Sequence, residues 1–242
     1  MVGGENPPSI IKMIGIVTAS HKRPEIDKLW CLSVDRMRLC YPGYFGVIAV
    51  VSEEEDRKVF EDHNIEVHTT DNNPLGTKHN FLFAKARGRF THLLYIGSDD
   101  IIDNNYLDEL LRHTDKDIVW GQGLTFYEVT SHRARFWDAP YKRVAGPAKL
   151  INAKVLDAID WVAYIPEVNN NMETKSYALM EPFIKSVHTF KVEEVGGLMM
   201  DIKGKTNINS FKEFANVGRE MSLQYIYDRL SKEEVDYFKT LN

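Results

Sequence analysis

The sequence has few cysteines, no long apolar run and no strong excess of either charge. Its 242 residues include two cysteines, Cys31 and Cys40, whose spacing fits neither a CxxC redox pair nor a zinc knuckle. We therefore expect two reduced, buried thiols in a cytoplasmic protein. The formal charge of -5 provides no overall attraction to nucleic acid or to an anionic membrane, so such a contact would need a local basic patch.

Membrane segments are also missing from the pattern. No stretch approaches the roughly 20 apolar residues that a membrane helix needs. The first residues, MVGGENPPS, have neither the basic start nor the apolar core of a secretory signal. We expect a soluble chain with no membrane partner. Because 43% of the residues are hydrophobic, the chain can bury a full core, and we expect a single domain over residues 1–242.

The first hundred residues alternate between short apolar runs and helical patterns. Strands are predicted at Met13–Thr18, Val47–Val51, Ile65–Thr70 and His92–Ile96. Helices are predicted from Pro24 to Met37, from a capping box of Ser52 and Glu55 to Asp62, and from Gly76 to Arg87, closed by Gly88. This alternation predicts an α/β fold with a doubly wound, mostly parallel sheet and helices on both faces. Its ligand should lie at the carboxyl ends of the strands.

The second half is less regular. Helices are predicted around Leu107, from an Asn152 cap to Trp161, over Met172–Ile184 and after a capping box of Ser231 and Glu234. Strands are predicted within Asp117–Val129, at Thr189–Val195 and at Leu198–Ile202. We expect residues 113–242 to extend the sheet and to bind an acceptor.

An acidic pair, Asp99 and Asp100, stands where the fourth predicted strand ends. Carboxylates at that position can meet a metal or a charged ligand without being buried in the core. Oxygen ligands suit Mg²⁺ or Mn²⁺, which bind carboxylates together with substrate phosphates. The alternative is a helix N-cap, since Asp103 or Asn104 shortly precedes the helix at Leu107.

Two polar segments follow other strands at the same predicted edge. Residues 18–24, TASHKRP, offer hydroxyls, basic groups and a helix start to an anionic ligand. Residues 72–80, NNPLGTKHN, place Lys78 near another helix start. A single basic residue is usually a solvated surface charge. Together with the acidic pair, these segments form a candidate site for a diphosphate and a metal.

Three segments of the sequence resemble a known family. The segments IVTASHKRPE, NNPLGTKHNFLFAKARGRF and LLYIGSDDII resemble the nucleotide-binding half of GT-A glycosyltransferases, especially the family-two-like enzymes, over residues 12–112. The resemblance implies that Thr18 and Arg23 face the nucleotide, that Lys78 meets the diphosphate or base, and that Asp99 binds Mn²⁺ or Mg²⁺. The donor-binding residues expected on this basis are Thr18, Ala19, Ser20, Arg23, Lys78, Ser98, Asp100 and Lys205.

The sequence departs from the family pattern at two positions. Gly97 occupies the first acidic position of the DxD motif, so Ser98 or Asp100 would have to supply the missing ligand. Ser52 stands where many relatives carry an aspartate that reads uracil. A UDP-sugar is still the expected donor.

A catalytic base is expected in the second half. An inverting transferase needs a carboxylate near the acceptor hydroxyl to take its proton. Glu173, at a predicted helix start, resembles the acidic residue that begins the family's acceptor-side helix. Its charge would also suit a helix N-terminus without any catalytic role. Asp157, Glu167 and Asp138 are the other candidate bases.

The segment Asp201–Lys205 is predicted to be a polar turn after a strand. In the resembling enzymes a late residue completes the metal or diphosphate shell. Asp201, as a metal ligand, or Lys205, as a donor contact, could do so here. A solvated turn of ordinary composition is the alternative.

Residues 131–149, SHRARFWDAPYKRVAGPAK, interleave cations and aromatics. Such a pattern can hold nucleic-acid phosphates and stack bases, can form a sugar-binding platform, or can belong to an active-site lid. These three interpretations stay open. The candidate acceptor-binding residues are Arg133, Arg135, Trp137, Lys142 and Arg143.

The sequence therefore predicts a metal-dependent glycosyltransferase with a nucleotide-sugar donor and a hydroxyl acceptor, either a saccharide or a modified DNA base. A nucleotidyltransferase is the alternative enzyme, but it would normally carry a glycine-rich basic loop after the first strand. Thr18–Pro24 contains no glycine. A non-catalytic nucleotide-binding or sugar-binding module would be favoured if Asp99 capped the next helix instead of facing a cleft.

Overall fold

A computed structural model describes residues 13–138, 148–169, 172–204 and 218–241, except for the side chains of Met172 and Glu173. The first part of the chain alternates strands and helices as predicted. Its elements are β1 (Ile14–Ser20), α1 (Pro24–Cys40), β2 (Phe45–Val51), α2 (Glu54–Asp62), β3 (Glu66–Thr69), α3 (Leu75–Ala86) and β4 (His92–Tyr95).

The rest of the chain adds shorter elements. The strands are β5 (Asp100–Ile102), β6 (Ile118–Gln122), β7 (Leu124–Glu128), β8 (Arg133–Trp137), β9 (Lys149–Asn152), β10 (Val187–Lys191), β11 (Met199–Lys203) and β12 (Arg219–Met221). The helices are α4 (Asn104–Arg112), α5 (Ala153–Ala158), α6 (Met172–Met180), a 3-10 turn at Glu181–Phe183, α7 (Leu223–Tyr227) and α8 (Lys232–Phe238).

Seven strands form the main sheet in the order β10-β6-β9-β4-β1-β2-β3. β1 pairs in parallel with β2 and β4, and β2 pairs in parallel with β3. β9 is antiparallel to both of its neighbours, β4 and β6. The carboxyl ends of β1 to β4 therefore meet at one edge, which is where ligands bind in open α/β sheets.

A second sheet, in the order β12-β8-β7-β11-β5, lies beyond the end of β4. β11 is antiparallel to β5, and in this register Asp201 stands opposite Asp100. The pairing carries the segment around residue 201 back to the acidic turn. This sheet was not predicted from the sequence.

Helices cover both faces of the main sheet. Successive residues of β1 point to opposite faces of the sheet. Ile16 packs in one core cluster with Trp30 of α1, and Val17 packs in the other with Phe83 of α3. β1 is almost wholly buried, as expected of a parallel strand covered on both sides. The predicted doubly wound α/β fold is confirmed.

Several local predictions can be compared directly. Ser231 and Glu234 form the predicted capping box of α8. The capping box predicted at Ser52 is wrong, since α2 begins at Glu54 without a side-chain cap. Cys31 is buried as expected, whereas Cys40 is exposed, so the prediction of two buried thiols fails for Cys40.

The helix predicted over 172–184 is shorter than expected. α6 ends at Met180, and a 3-10 turn containing Pro182 follows. Proline lacks the N–H that would continue an α-helix. Among the residues that the structure describes, no helix is both long enough and apolar enough to cross a membrane.

Candidate functional site

A cleft of about 270 Å³ opens at the carboxyl ends of β1 to β4. The end of β1 and the turn after it, the start of α3 with Asn72 before it, and the end of β4 with the turn after it line this cleft, together with one residue of β11. The lining residues are Ala19, Ser20, His21, Arg23, Asn72, Leu75, Lys78, His79, Tyr95, Gly97, Ser98, Asp99 and Lys203. The three segments that the sequence assigned to a ligand site therefore meet.

The two aspartates of the acidic turn after β4 have different roles. Asp100 is buried, and its carboxylate accepts a hydrogen bond of 3.1 Å from the backbone N–H of Gly97. Asp99 lies in the cleft lining. Asp100 thus stabilises the turn that presents Asp99, and the expected donor contact through Asp100 has no support in this arrangement.

The same turn explains the glycine at position 97. A Cβ on Gly97 would lie 2.4 Å from Oδ2 of Asp100, closer than real Cβ contacts allow. An aspartate at this position would have to displace the Asp100 carboxylate. The departure from the DxD pattern is therefore part of the way this turn packs. Ser98 is buried and lines the cleft.

The cap of the next helix is a different residue. Asp103 accepts a hydrogen bond of 2.9 Å from the backbone N–H of Tyr106 at the start of α4. Its carboxylate also accepts one of 2.9 Å from the backbone N–H of Leu198. Asp99 is thus not the helix cap, and the observation that would have favoured a non-catalytic module is not found.

Arg23 pairs directly with Asp99. The distance from the guanidinium to Oδ2 of Asp99 is 2.9 Å, and the two side chains are 12% and 24% exposed. Burial raises the pKa of Asp99, but the charges of Arg23 and Lys203 outweigh that effect and hold the pKa below its usual value. Asp99 is therefore an ionised carboxylate at the cleft wall.

Asp201 and Lys203 lie beside this pair. They are two residues apart on β11, so their side chains share one face of the strand. Nζ of Lys203 is 2.6 Å from Oδ2 of Asp201. Burial and the neighbouring charge of Asp99 raise the pKa of Asp201 to about 7. The prediction of a polar turn starting at Asp201 is wrong, because β11 runs to Lys203.

Sequence reasoning missed Lys203. Its signal was the alternation of Asp201 and Lys203 in an otherwise apolar run, which the assumption of a turn concealed. Lys205, the residue proposed instead, lies outside the described residues.

Asp99 and Asp201 fit a hard divalent cation. Oδ1 of Asp201 is buried and accepts no hydrogen bond from the residues that the structure describes. The Asp99 charge acts directly on the Asp201 carboxyl, so the two acids are close neighbours. Two adjacent carboxylates, one of them with an oxygen free of hydrogen bonds, are suitable ligands for Mg²⁺ or Mn²⁺.

Lys78 is enclosed beneath the cleft. Its Nζ donates to the backbone oxygen of Ser20, to Oγ of Ser52 at 2.9 Å and to Oδ1 of Asn72 at 3.0 Å. A lysine ammonium has three N–H groups, so these acceptors use all of them. Lys78 therefore links the segments that follow β1, β2 and β3, and burial lowers its pKa to about 8.

The turn after β1 is held from the protein side. The carboxylate of Asp56 on α2 accepts hydrogen bonds of 2.7 Å and 3.0 Å from the backbone N–H groups of Lys22 and Arg23. Oγ of Ser20 donates to Asp27 at 2.7 Å, and Thr18 is fully buried. Of the residues proposed here, Ala19, Ser20 and Arg23 line the cleft, whereas Thr18 does not.

The start of α3 is closed by another segment of the chain. The backbone N–H groups of Leu75, Gly76 and Thr77 donate to Asn169, Val168 and Pro166, at 2.7, 3.0 and 3.2 Å. A Cβ on Gly76 would lie 2.0 Å from the backbone oxygen of Ile165. The glycine thus permits residues 165–169 to approach, and this helix start is capped by protein.

The candidate bases differ in position. Glu173 is the second residue of α6, and its side chain is not among those described. It follows Asn169 by four residues, a reach of at most about 14 Å, and Asn169 contacts Leu75 at the cleft. Asp157 accepts a hydrogen bond from Trp161 and lines a separate cavity with Thr91.

Asp157 therefore lies beside the start of β4, at the end of the strands opposite the cleft. Glu167 is exposed within the segment that caps α3, and Asp138 is exposed after the end of β8. Neither carboxylate lines the cleft.

The structure describes only part of the basic segment, residues 131–149. Arg133, on β8, lies 2.5 Å from Glu220 of β12, and Arg135 donates to the backbone oxygen of Gly218 at 2.8 Å. Trp137 packs against Phe126, with ring centroids 6.1 Å apart. Within the described residues these side chains link β8 to β12 and to β7. Lys142 and Arg143 lie outside the described residues.

No protein-family model matches the sequence, and no curated protein matches it. Solved structures do resemble the fold. S. aureus TarS 1-349 matches with a TM-score of 0.50 and 13% identity over 76% of this chain. The match spans 63% of the TarS chain.

Two further structures match over more of their length. Glucosyl-3-phosphoglycerate synthase from Mycobacterium tuberculosis, solved with Mn²⁺, UDP and glucosyl-3-phosphoglycerate, has a TM-score of 0.54 and 11% identity over 88% of this chain and 81% of its own. The inositol-1-phosphate CTP transferase from T. maritima has a TM-score of 0.53 and 12% identity over 95% and 97%. The chain therefore has the GT-A-like α/β fold that glycosyltransferases and a nucleotidyltransferase share.

Proposed function

We propose that this protein is a metal-dependent glycosyltransferase that moves a sugar from a nucleotide-sugar, preferentially a UDP-sugar, to a hydroxyl acceptor. The observation that carries the proposal is the convergence of Asp99 and Asp201 with Arg23 and Lys203 at the carboxyl edge of the sheet. Arg23, Asp99 and Lys203 line the cleft, and Asp201 lies beside it in contact with Lys203. Such a group of two acids and two cations can hold a divalent ion together with a diphosphate. The mycobacterial neighbour binds UDP and Mn²⁺, which supports this donor class.

Asp99 and Asp201 would hold Mn²⁺ or Mg²⁺. The ion, when bound, supplies Lewis-acid neutralisation of the diphosphate leaving group. Arg23 and Lys203 each have a carboxylate partner in this structure, and both are within the cleft lining. A bound diphosphate offers them alternative anionic partners, so both cations can stabilise the charge that develops on the leaving oxygen.

The proposed reaction is a single displacement with inversion. The acceptor oxygen forms a bond to the anomeric carbon as the bond from that carbon to the diphosphate oxygen breaks. The acceptor proton passes to a carboxylate base, and the electron pair of the broken bond stays on the nucleoside diphosphate. Glu173 is the proposed base, because α6 starts close along the chain to Asn169 at the cleft margin.

The alternative enzyme, a nucleotidyltransferase, shares the fold. A triphosphate substrate is typically cradled by backbone N–H groups of a glycine-rich loop. Here Asp56 already accepts hydrogen bonds from the N–H groups of Lys22 and Arg23, and the turn contains no glycine. This arrangement favours sugar transfer over nucleotidyl transfer.

The acceptor is proposed to be a saccharide or another small hydroxyl compound. A DNA base remains the alternative from the sequence, but the described cations of the basic segment do not favour it. Arg133 and Arg135 contact Glu220 and the Gly218 carbonyl, so they belong to the second sheet.

Product identity tests the proposed reaction. The protein would be incubated with Mn²⁺, a panel of nucleotide-sugars and a panel of saccharide acceptors, and separately with nucleoside triphosphates and sugar phosphates. We expect release of a nucleoside diphosphate from a nucleotide-sugar, UDP above all, and dependence on the divalent ion. Release of pyrophosphate from the triphosphate mixture would show nucleotidyl transfer instead.

A further inference from the structure

A second group of side chains that could bind a metal lies beside β10, the edge strand of the main sheet. Glu109 is on α4, His113 directly follows that helix, and His188 is on the edge strand β10. Residues four apart on a helix share one side, which brings Glu109 and His113 together over β10. One potential ligand atom from each residue lies within 4.8 Å of the other two.

The distances match a tetrahedral metal site. Oε1 of Glu109 is 3.2 Å from Nε2 of His113 and 3.5 Å from Nε2 of His188. Zinc bonds of about 2.0–2.1 Å in tetrahedral geometry separate neighbouring ligand atoms by about 3.3–3.4 Å. Both distances from Oε1 of Glu109 are therefore close to the spacing of neighbouring ligands in such a site, and the ligand atoms all lie within 4.8 Å of one another.

One contact orients Glu109, and the facing nitrogen of His188 is not used in a hydrogen bond among the described residues. Arg112 donates to Oε2 of Glu109 at 2.7 Å, which leaves Oε1 facing the two imidazoles. Nε2 of His188 is buried and makes no hydrogen bond within the described part of the chain. In the neutral tautomer protonated at Nδ1, this Nε2 has a lone pair available for a cation.

The imidazoles are stacked in this structure, with ring centroids 3.5 Å apart and planes at 19°. A shared ion would turn the ring planes apart so that each Nε2 lone pair points at it. Both side chains retain solvent access, at 28% and 29% exposure. A small torsional change is thus available, and an ion can enter from solvent.

We propose that Glu109, His113 and His188 bind one borderline divalent cation of the zinc type and thereby tie α4 to β10. Two imidazoles and one carboxylate suit Zn²⁺ or Co²⁺ better than Mg²⁺, which prefers oxygen ligands. Water supplies the fourth ligand. β10 is four strand positions from β1, about 19 Å at the usual spacing, and none of the three residues lines the cleft.

Cobalt titration tests this site without relying on activity. The chelator-stripped full chain would be titrated with Co²⁺ in the absence of nucleotide, with visible d–d absorption as the readout, and its Tm would be measured with and without Zn²⁺. We expect one equivalent of tightly bound Co²⁺ with a tetrahedral spectrum, and a higher Tm with Zn²⁺. Both effects should be lost in His188→Gln and in Glu109→Gln.

Two controls assign the ion. His63→Gln removes a half-buried histidine that contacts the Asp35 carboxylate, and it should keep the Co²⁺ equivalent. Asp99→Asn should keep it too, whereas loss of the equivalent there would place the ion in the cleft and overturn the proposal. Circular dichroism of the metal-free variants verifies folding. An unchanged Co²⁺ equivalent in the folded His188 or Glu109 variant would also refute the site.

Discussion

The guanidinium of Arg23 lies 2.9 Å from the carboxylate of Asp99, so the residue before α1 and the residue before β5 are joined across the cleft. Their contact connects the turn after β1 to the acidic turn after β4. A divalent ion at Asp99 would meet a carboxylate that already has a cationic partner. Binding of the ion and of the diphosphate should therefore be coupled, since the diphosphate provides a new partner for Arg23.

Asp99→Asn should abolish metal-dependent donor binding and leave the fold intact. The substitution removes the charge but keeps the shape, and loss of a charged contact worth about 3 kcal/mol lowers affinity about 100-fold. Calorimetry with UDP and Mn²⁺ provides the measurement, and circular dichroism verifies the fold. Asp103→Asn is a matched control, because Asp103 caps α4 and does not line the cleft. Equal UDP–Mn²⁺ affinity in Asp99→Asn and parent would remove the metal role of Asp99.

Metal affinity should rise with pH through about 7. Burial and the Asp99 charge raise the pKa of Asp201 to about 7, and a carboxyl must be ionised to bind a metal. Without metal the sign is opposite: between about pH 4 and 7 the folded state holds a proton that the unfolded state has released, so stability falls as pH rises. Mn²⁺–UDP calorimetry from pH 5.5 to 7.5 should show a steeper rise in parent than in Asp201→Asn, because the terminal phosphate of UDP titrates equally with both proteins. Parallel profiles for the two proteins would contradict this assignment.

Lys78 should leave a signature in stability at alkaline pH. Burial lowers its pKa from 10.5 to about 8, so between those values the unfolded state binds a proton that the folded state does not. The free energy of unfolding therefore increases with pH across that window, by about 3 kcal/mol in total. Denaturant unfolding at pH 7.5 to 10.5 measures the slope, and Lys78→Met should lack the increment.

The comparison of slopes is independent of how much Lys78→Met destabilises the protein at neutral pH. If parent and variant show the same pH slope, Lys78 keeps its proton over this range and its burial has a smaller effect than the structure indicates.

The sequence predicted β1 to β4 because each is a buried apolar run separated from the next by helix signals. It did not predict the second sheet. β5 and β12 are strands of three residues, too short to show a period, and their pairing depends on long-range contacts. The strand predicted at Leu198–Ile202 corresponds to β11 (Met199–Lys203). The polar turn predicted over Asp201–Lys205 is wrong at its start, because Asp201 and Lys203 alternate with Ile202 along the strand.

The sequence also predicted which segments meet at the candidate site. It did not predict which partners the polar groups of these segments contact. Lys78 and the backbone of the first turn were expected to contact the ligand directly. In the structure Ser20, Ser52, Asn72 and Asp56 occupy those donors. Which acceptor meets a donor depends on three strand ends approaching one another, and no local pattern contains that information.

Glu173→Gln should lower turnover with little effect on donor affinity. A general base acts in the transition state and contributes about 100-fold to 10,000-fold, while it hardly touches the bound nucleotide. The measurements are kcat with the acceptor found in the product assay and Kd for UDP–Mn²⁺. Glu167→Gln is the matched control, because Glu167 is exposed in the neighbouring segment. An unchanged kcat in Glu173→Gln would transfer the base role to another carboxylate.

The last prediction distinguishes a saccharide acceptor from DNA. Each DNA phosphate neutralised by a cation contributes about -0.9 to the slope of log affinity against log salt, so two arginines in contact with duplex would account for about 1.8. Because Arg133 contacts Glu220 and Arg135 contacts the Gly218 carbonyl, we expect no such contribution. Filter binding at several salt concentrations should give weak DNA binding with the same slope in parent and in Arg133→Ala/Arg135→Ala. A glycan array probed with the parent protein should in turn show saccharide binding. A slope smaller by about 1.8 in the double variant, with a blank glycan array, would instead identify nucleic acid as the acceptor.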